Sequence, residues 1–307
     1  MAEWKPPVEA YKGRIVEVTI GRGPRAVKVG GENVFAFNQG FDEGQWPNPP
    51  RVAIELWDTE PKGWAKGILD FYGDAVKDPI AWAKKASEEL KPDLIFLYLI
   101  STDPNEEDRS PEKAKDLVRA AYEAANGVPF IVYCPGNEAK DPEVLKAVAE
   151  ALKGENLLLG PALKEDYEPI AQAAKEYEHC VSAQAPMDIN LQKELDVKIS
   201  RIIPRERIVL DPLAPCVGVG LEYGFSIFER QKHAAISFGD EMMQMPMIAN
   251  FSLEVWKTKE AKENEKMGIM WEEMTAMTYA LAGANILVIR HPLTYRKVKE
   301  LLDKCKM

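Results

Sequence analysis

The feature that most restricts the fold is a rhythm that starts at Arg51, where short apolar runs begin to alternate with helical segments of roughly 10–15 residues. The runs are Val52–Trp57, Leu94–Ile100, Phe130–Cys134, Leu157–Gly160, Cys180–Ala183, Ile208–Leu210, Met247–Phe251 and Ile286–Ile289. They are rich in Val, Ile and Leu and do not alternate cleanly with polar residues. That is the composition of parallel strands covered on both faces. Eight strand–helix units predict a (β/α)8 TIM barrel, and residues 51–307 match the usual size of one such domain, about 250 residues. An open doubly wound sheet is the alternative, and the count of eight favours closure. No proline-rich linker and no solenoid period marks a further domain.

Residues 1–50 read differently. Arg14–Ile20 alternates apolar with polar residues, Gly21-Arg22-Gly23-Pro24 turns, and Ala26–Val29 resumes before Gly30-Gly31 and Val34–Phe37. This predicts an N-terminal extension carrying a β-hairpin that caps the barrel. Within the barrel, Asp78-Pro79, Ser110-Pro111 and Asp141-Pro142 each place a capping side chain before a proline suited to a first helical position. Asp188 is expected to cap Ile189–Ile199 in the same way, and Val144, Leu145, Val148 and Leu152 share one helical face.

A chain of 307 residues needs neither disulfides nor a structural metal to hold its core. Its 39 basic and 49 acidic residues leave a net charge of −10, which argues against nucleic acid or an anionic membrane as the main partner. The longest apolar run, near Leu94–Ile100, falls far short of the roughly 20 residues of a membrane span, and Met1–Pro7 contains no apolar signal core. A soluble, cytoplasmic protein is the expectation. Cys134, Cys180, Cys216 and Cys305 stand tens of residues apart with no CxxC, so a local zinc or iron–sulfur ligand motif is absent.

In a (β/α)8 barrel, function sits at the C-terminal ends of the strands. The candidates there are Asp58 and Thr59, Asp103, Asn137, Gln184, Asp211, Asn250 and Arg290-His291. These are mostly amides, hydroxyls and isolated acids. A carboxylate pair for glycoside hydrolysis would have to come from Asp58, Asp103 and Asp211, which serve equally as loop or cap acceptors. HExxH, GxSxG and the phosphate-cradling P-loop are missing. His179 is expected to begin a strand on the opposite face, His233 lies within a helix, and only His291 is placed for function, or else for packing before Pro292. Three long connections could act as lids or partner surfaces. They are Glu60–Lys77 with Trp64 and Phe71, Leu213–Gly220 with Gly218 and Gly220, and Ser252–Lys266 with Trp256. The methionines at 242, 243, 245 and 247 are expected in the core.

Specific strings narrow this further. The sequence contains GENLLLG at 154–160, PMDIN at 186–190, IVLDP at 208–212, GLEYGFSIFER at 220–230 and ILVIRHP at 286–292, in that order from the fourth strand to the eighth. With them the chain resembles the small (delta) subunit of the corrinoid iron–sulfur protein of acetyl-CoA decarbonylase/synthase complexes. The loop Leu213–Val219 departs from that pattern, with Ala214-Pro215-Cys216-Val217 where more glycine is expected.

The resemblance implies a (β/α)8 subunit of a heterodimer. A large (gamma) subunit carries the corrinoid (cobalamin) and the [4Fe-4S] cluster, and no iron–sulfur cluster belongs to this chain. It further implies that the barrel covers the corrinoid while a methyl group passes from a methyltetrahydropterin, through a methyltransferase, to acetyl-CoA synthase in the reductive acetyl-CoA (Wood–Ljungdahl) pathway. The strand-end residues above, with Gly218, Gly220 and Tyr223, are the expected corrinoid neighbours. The absence of a DxHxxG string and of clustered cysteines agrees with a chain that contributes one wall of a cofactor enclosure. The alternative is a pterin-dependent methyltransferase on the same barrel, with Asp58, Asp103, Asp211 and Asn250 holding the pterin.

Overall fold

A computed structural model describes residues 8–38 and 43–305, with only the backbone of Cys305. The run Met1–Pro7, read above for a signal core, lies outside the described residues. After a hairpin of β1 (Val18–Ile20) and β2 (Val27–Val29) come eight strands: β3 (Arg51–Trp57), β4 (Leu94–Tyr98), β5 (Phe130–Tyr133), β6 (Leu158–Ala162), β7 (Cys180–Gln184), β8 (Ile208–Asp211), β9 (Ile248–Asn250) and β10 (Ile286–Ile289). The helices are α1 (Lys66–Tyr72), α2 (Pro79–Glu89), α3 (Pro111–Ala124), α4 (Asp141–Ala151), α5 (Tyr167–Tyr177), α6 (Ile189–Ile199), α7 (Leu221–Ile236), α8 (Ser252–Lys257), α9 (Lys259–Glu263), α10 (Glu265–Ala282) and α11 (Pro292–Cys305).

All eight strands run parallel in the order β8-β7-β6-β5-β4-β3-β10-β9. The ring closes where Leu210 bridges Met247 and the Leu210 N–H donates to the Pro246 carbonyl at 2.8 Å. The predicted closure therefore holds. Alternate residues of each strand divide into two cores, because successive side chains point to opposite faces. Val52, Ile54 and Leu56 pack outward under the helices, whereas Ala53, Phe96, Ile131, Val209 and Val288 fill the barrel. Val18, Ile20 and Val29 of the hairpin join the inner cluster and plug the N-terminal end. Asn156 fastens the hairpin there, its amide donating to the Thr19 carbonyl at 2.6 Å. Among the described residues, the end of the barrel left open is the C-terminal mouth.

Asp78, Ser110 and Asp188 cap α2, α3 and α6 as expected, each accepting from backbone N–H groups of the first turn. Asp141 does not cap α4. The chain turns one step earlier, at Asn137, whose Oδ1 accepts from the N–H groups of Ala139 and Lys140 at 3.2 and 3.1 Å. Asp141 consequently lies inside the helix and reaches back to the loop. Val34–Phe37 is not a strand either. It has no neighbouring strand to pair with, and Phe35 packs on Tyr11 and His233 while Ala36–Asn38 closes a short 3-10 turn. Met243, Met245 and Met247 are buried as expected. Among the described residues no helix is long and apolar enough to cross a membrane.

Candidate functional site

The mouth holds a cavity of about 320 Å3 whose walls include Phe96, Tyr98, Gln184, Met187, Leu213, Asn250 and Leu253. Of the residues predicted for the site, Gln184 and Asn250 line it. The others stand around it in distinct ways. Asp58 is fully buried, receives the Ser101 N–H at 3.0 Å and the Ser101 hydroxyl, and lies 3.6 Å from Arg109. Burial raises its pKa, and the Ser101 bonds and Arg109 oppose the rise. Thr59 is half-buried beside it. Asp103 accepts from the Asn105 N–H at 2.8 Å.

Asp211 is also fully buried. It accepts from the Tyr133 hydroxyl at 3.0 Å, the Gln184 amide at 2.8 Å and the Leu213 N–H at 3.1 Å. Tyr133 in turn shares a hydrogen bond with Ser182, so β5, β7 and β8 are tied together just below the mouth. Desolvation again pushes the Asp211 carboxyl upward against these donors.

His291 is packed. Its Nδ1 accepts the Leu293 N–H at 3.0 Å, which leaves the proton on Nε2 to face Glu265 Oε1, also at 3.0 Å. Trp256 stacks on its ring. Gly218 and Gly220 have φ of +77° and +108°, in the region that favours glycine, and begin the turn into α7. Tyr223 points outward and is 67% exposed.

Strand-end position marks Arg290, but sequence reasoning missed the acid it meets. Glu55 of β3 and Arg290 at the end of β10 form a bidentate pair, with Nη2 donating to Oε1 at 2.7 Å and Nε to Oε2 at 3.1 Å. The guanidinium lies against both the Trp57 and Trp64 rings, 5.1 and 4.3 Å from their centroids, and the two rings meet each other edge to face. A period-two count along β3 would have found Glu55, since it shares parity with inward-facing Ala53. Tyr98 follows Phe96 by the same count.

The connections read as loops are largely helical. Glu60–Lys77 contains α1, and Ser252–Lys266 contains α8, α9 and the start of α10. Trp64 and Trp256 are buried in the chain's own packing and Phe71 is half-buried under Arg296, so of the two readings open for these aromatics, a partner surface or burial under their own loops, the structure shows burial for the two tryptophans.

Two carboxyls on the rim titrate unusually. Asp141 accepts the N–H groups of Gly136 and Asn137 at 2.7 and 2.9 Å, yet burial pushes its pKa up to about 7. Asp166, which accepts the Leu163 N–H at 2.7 Å, is pushed up to about 6 for the same reason. A carboxyl whose folded pKa exceeds its unfolded value favours the folded state while protonated. The Asp141 contribution is therefore full below about pH 4 and is lost as pH rises through about 7. Asp141→Asn is expected to flatten this slope and to be more stable than the unaltered chain at about pH 8. Urea midpoints across that range check it, and an unchanged slope would assign the titration to another group.

Burial holds the Cys134 thiol well above its usual pKa, so it stays protonated. Cys134, Cys180 and Cys216 are buried and unpaired, and among the described residues no three His, Cys, Asp or Glu side chains are grouped to hold a metal ion. The mouth thus offers shape, apolar cover and amide groups, while Asp58, Asp211 and Glu55 are engaged within the chain.

The architecture is that of a (β/α)8 barrel closed at one end by an N-terminal hairpin. Dihydropteroate synthase from Xanthomonas albilineans superposes with a TM-score of 0.59 over 86% of this chain and 95% of that one, at 14% identity. The Thermus thermophilus enzyme gives 0.54 at 17% identity over 85% and 96%. At such identities the likeness is one of fold.

The sequence relation is closer elsewhere. Residues 17–300 match the family described as CO dehydrogenase/acetyl-CoA synthase delta subunit, and the chain belongs to that family. It is 34% identical to the acetyl-CoA decarbonylase/synthase complex subunit delta of Methanocaldococcus jannaschii, over 97% of this chain and 76% of that protein. It is 36% identical to the Methanopyrus kandleri subunit, over 95% and 75%.

Proposed function

We propose that the barrel mouth forms one wall of a corrinoid enclosure in a methyl-carrying heterodimer, opposite the corrinoid- and [4Fe-4S]-bearing large subunit. One observation supports this most directly. In a member of this family, the polar groups left unpaired at the mouth are amides and a phenol, while the acids of its lining, Glu55 and Glu254, are paired with Arg290 and Lys257. The Asn250 side chain and the Tyr98 hydroxyl have no hydrogen-bond partner among the described residues, and Gln184 uses only its amide nitrogen, on Asp211. Such groups suit the amide-fringed edge of a corrin, and Met187, Leu213 and Leu253 supply apolar cover. Bound there, a corrinoid would supply a cobalt that accepts and releases a methyl group.

The chain's own part is to position the ring edge and exclude water. Asn250, Gln184 and Tyr98 would orient the amide edge, Asn137 stands on the neighbouring rim, and the hairpin plug keeps solvent from entering below. Exclusion matters because a reduced cobalt centre is a strong nucleophile that water and oxygen would quench.

A pterin site built from Asp58, Asp103, Asp211 and Asn250 is less well supported, since of these only Asn250 lines the cavity. The test is co-expression with the large subunit. A one-to-one complex containing cobalt is expected, and Gln184→Leu with Asn250→Leu should lower corrinoid retention without preventing folding. Saturable micromolar binding of methyltetrahydrofolate by the lone chain, with no cobalt-containing complex, would overturn the proposal in favour of the methyltransferase.

A further inference from the structure

We propose that a second cavity, beside the mouth, binds an organic phosphate. It lies between the start of α1 and the α8–α9 segment, encloses about 480 Å3 and shares only Leu253 with the lining of the mouth cavity. The buried Glu55–Arg290 pair separates the two, with Glu55 in the wall of the mouth and Arg290 in the wall of this cavity. What identifies the ligand is a set of donors without acceptors. Arg290 is 3% exposed and commits Nε and Nη2 to Glu55, but its Nη1 makes no hydrogen bond among the described residues. The indole N–H of Trp64, in the same lining, is buried and likewise unpartnered. Lys62, ahead of α1, and Lys262, on α9, also line the cavity and have no acid partner among the described residues. A buried donor left unpaired is costly, and here two of them stand with two unpaired amines around one space.

The remaining charged groups of the lining do not answer these donors. Glu265 Oε1 accepts the Gly67 N–H at 2.7 Å and faces His291 at 3.0 Å, and Glu263 lies 3.8 Å from Lys259 on its own helix. Lys66 and Lys257 are held by Asp70 and Glu254, one turn away on exposed helix faces, and add little. Donors from four separate residues, three of them cationic, call for an oxyanion. A phosphate ester keeps three terminal oxygens and can be met from several directions, whereas a carboxylate holds its two in one plane. The ligand is also larger than the ion. The cavity falls within the roughly 300–1,000 Å3 of small-molecule sites, and Ile68, Leu253 and Trp256 offer apolar wall beside the donors. A phosphate carried on a flat apolar body satisfies both halves.

Titration of the full chain with phenyl phosphate tests this, followed by calorimetry and by quenching of tryptophan emission, since Trp57, Trp64 and Trp256 line the cavity. Saturable binding is expected. Inorganic phosphate and phenol should each bind at least roughly tenfold more weakly, because each lacks one half of the ligand. Lys62→Ala with Lys262→Ala, both at exposed positions, should weaken phenyl phosphate by roughly tenfold while the urea midpoint and far-ultraviolet dichroism stay unchanged. No saturation at millimolar phenyl phosphate would overturn the proposal, and so would binding that this variant leaves unaltered. Benzoate binding as tightly as phenyl phosphate would overturn the choice of phosphate. The Gln184→Leu with Asn250→Leu variant, altered only at the mouth, should bind phenyl phosphate normally, so the corrinoid reading can fail while this one stands, or the reverse.

Discussion

Arg290→Met is expected to lower the stability of the chain by about 3–5 kcal/mol, because it strands a buried carboxylate. Glu55 is 2% exposed, and apart from Arg290 its only donor among the described residues is the Trp57 indole at 2.7 Å. Without the guanidinium a charge would remain in surroundings of low dielectric constant. Desolvating an ion pair and breaking one have different costs, and this provides the control. Replacing both members by neutral groups, as in Glu55→Gln with Arg290→Met, removes the charge together with its partner and should recover most of the loss. Urea midpoints of the two single variants and the double variant measure the coupling. A single variant within about 1 kcal/mol of the unaltered chain would mean that water reaches Glu55 and relieves it. The effect should extend to the site. Trp57 and Trp64 lie against the guanidinium, and Glu55 forms part of the mouth wall, so loosening this pair frees one side of the cavity.

That pair also shows where the sequence was legible and where it was not. The eight strands stand out because each is a run of Val, Ile and Leu buried on both faces, and the order of the barrel follows from parallel neighbours joined by helices. Three of the four proposed caps could be read because a cap is local chemistry. The fourth, at Asp141, failed because Asn137 offered the backbone an earlier turn, which composition does not rank. The short helices α1, α8 and α9 were hidden for another reason. At seven, six and five residues they are too brief for a 3.6-residue period to emerge.

At the mouth, strand-end position identified Gln184 and Asn250. It gave no hint that Asp58 and Asp211 would be engaged in tying strands together, since their partners Ser101 and Tyr133 lie 43 and 78 residues away. Long-range pairing is a property of the closed barrel. Inward parity was available along every strand and would have exposed Glu55 and Tyr98, but a lone Glu in an apolar run carries no label for the cation it will meet.

Glu272 illustrates the same blindness with a larger effect, for Glu272→Ala is expected to cost about 4–5 kcal/mol. Nothing in the sequence of α10 separates this glutamate from Glu273 beside it, yet Glu272 is fully buried and joins three elements. Its Oε1 accepts the Trp256 indole at 3.0 Å and the Arg290 N–H at 2.8 Å, with the Ser252 hydroxyl 2.9 Å away, and its Oε2 accepts the His291 N–H at 3.2 Å. These donors hold α8 and the end of β10 against α10. Truncation would orphan two backbone N–H groups and an indole in a dry site, and each unsatisfied donor costs about 1–3 kcal/mol. Glu272→Gln should be milder, at about 1–2 kcal/mol, because its carbonyl can keep the donors on one oxygen while its NH2 group faces the His291 N–H. Burial raises the pKa of Glu272, so a neutral side chain is also the cheaper one to hold there. Urea unfolding ranks the two variants. Trp256 stacks on His291 beneath this carboxylate, so in the alanine variant tryptophan emission should shift to the red before the main transition as α8 loosens. If alanine and glutamine prove equally mild, the donors have found water, and the rim of the mouth is held by packing alone.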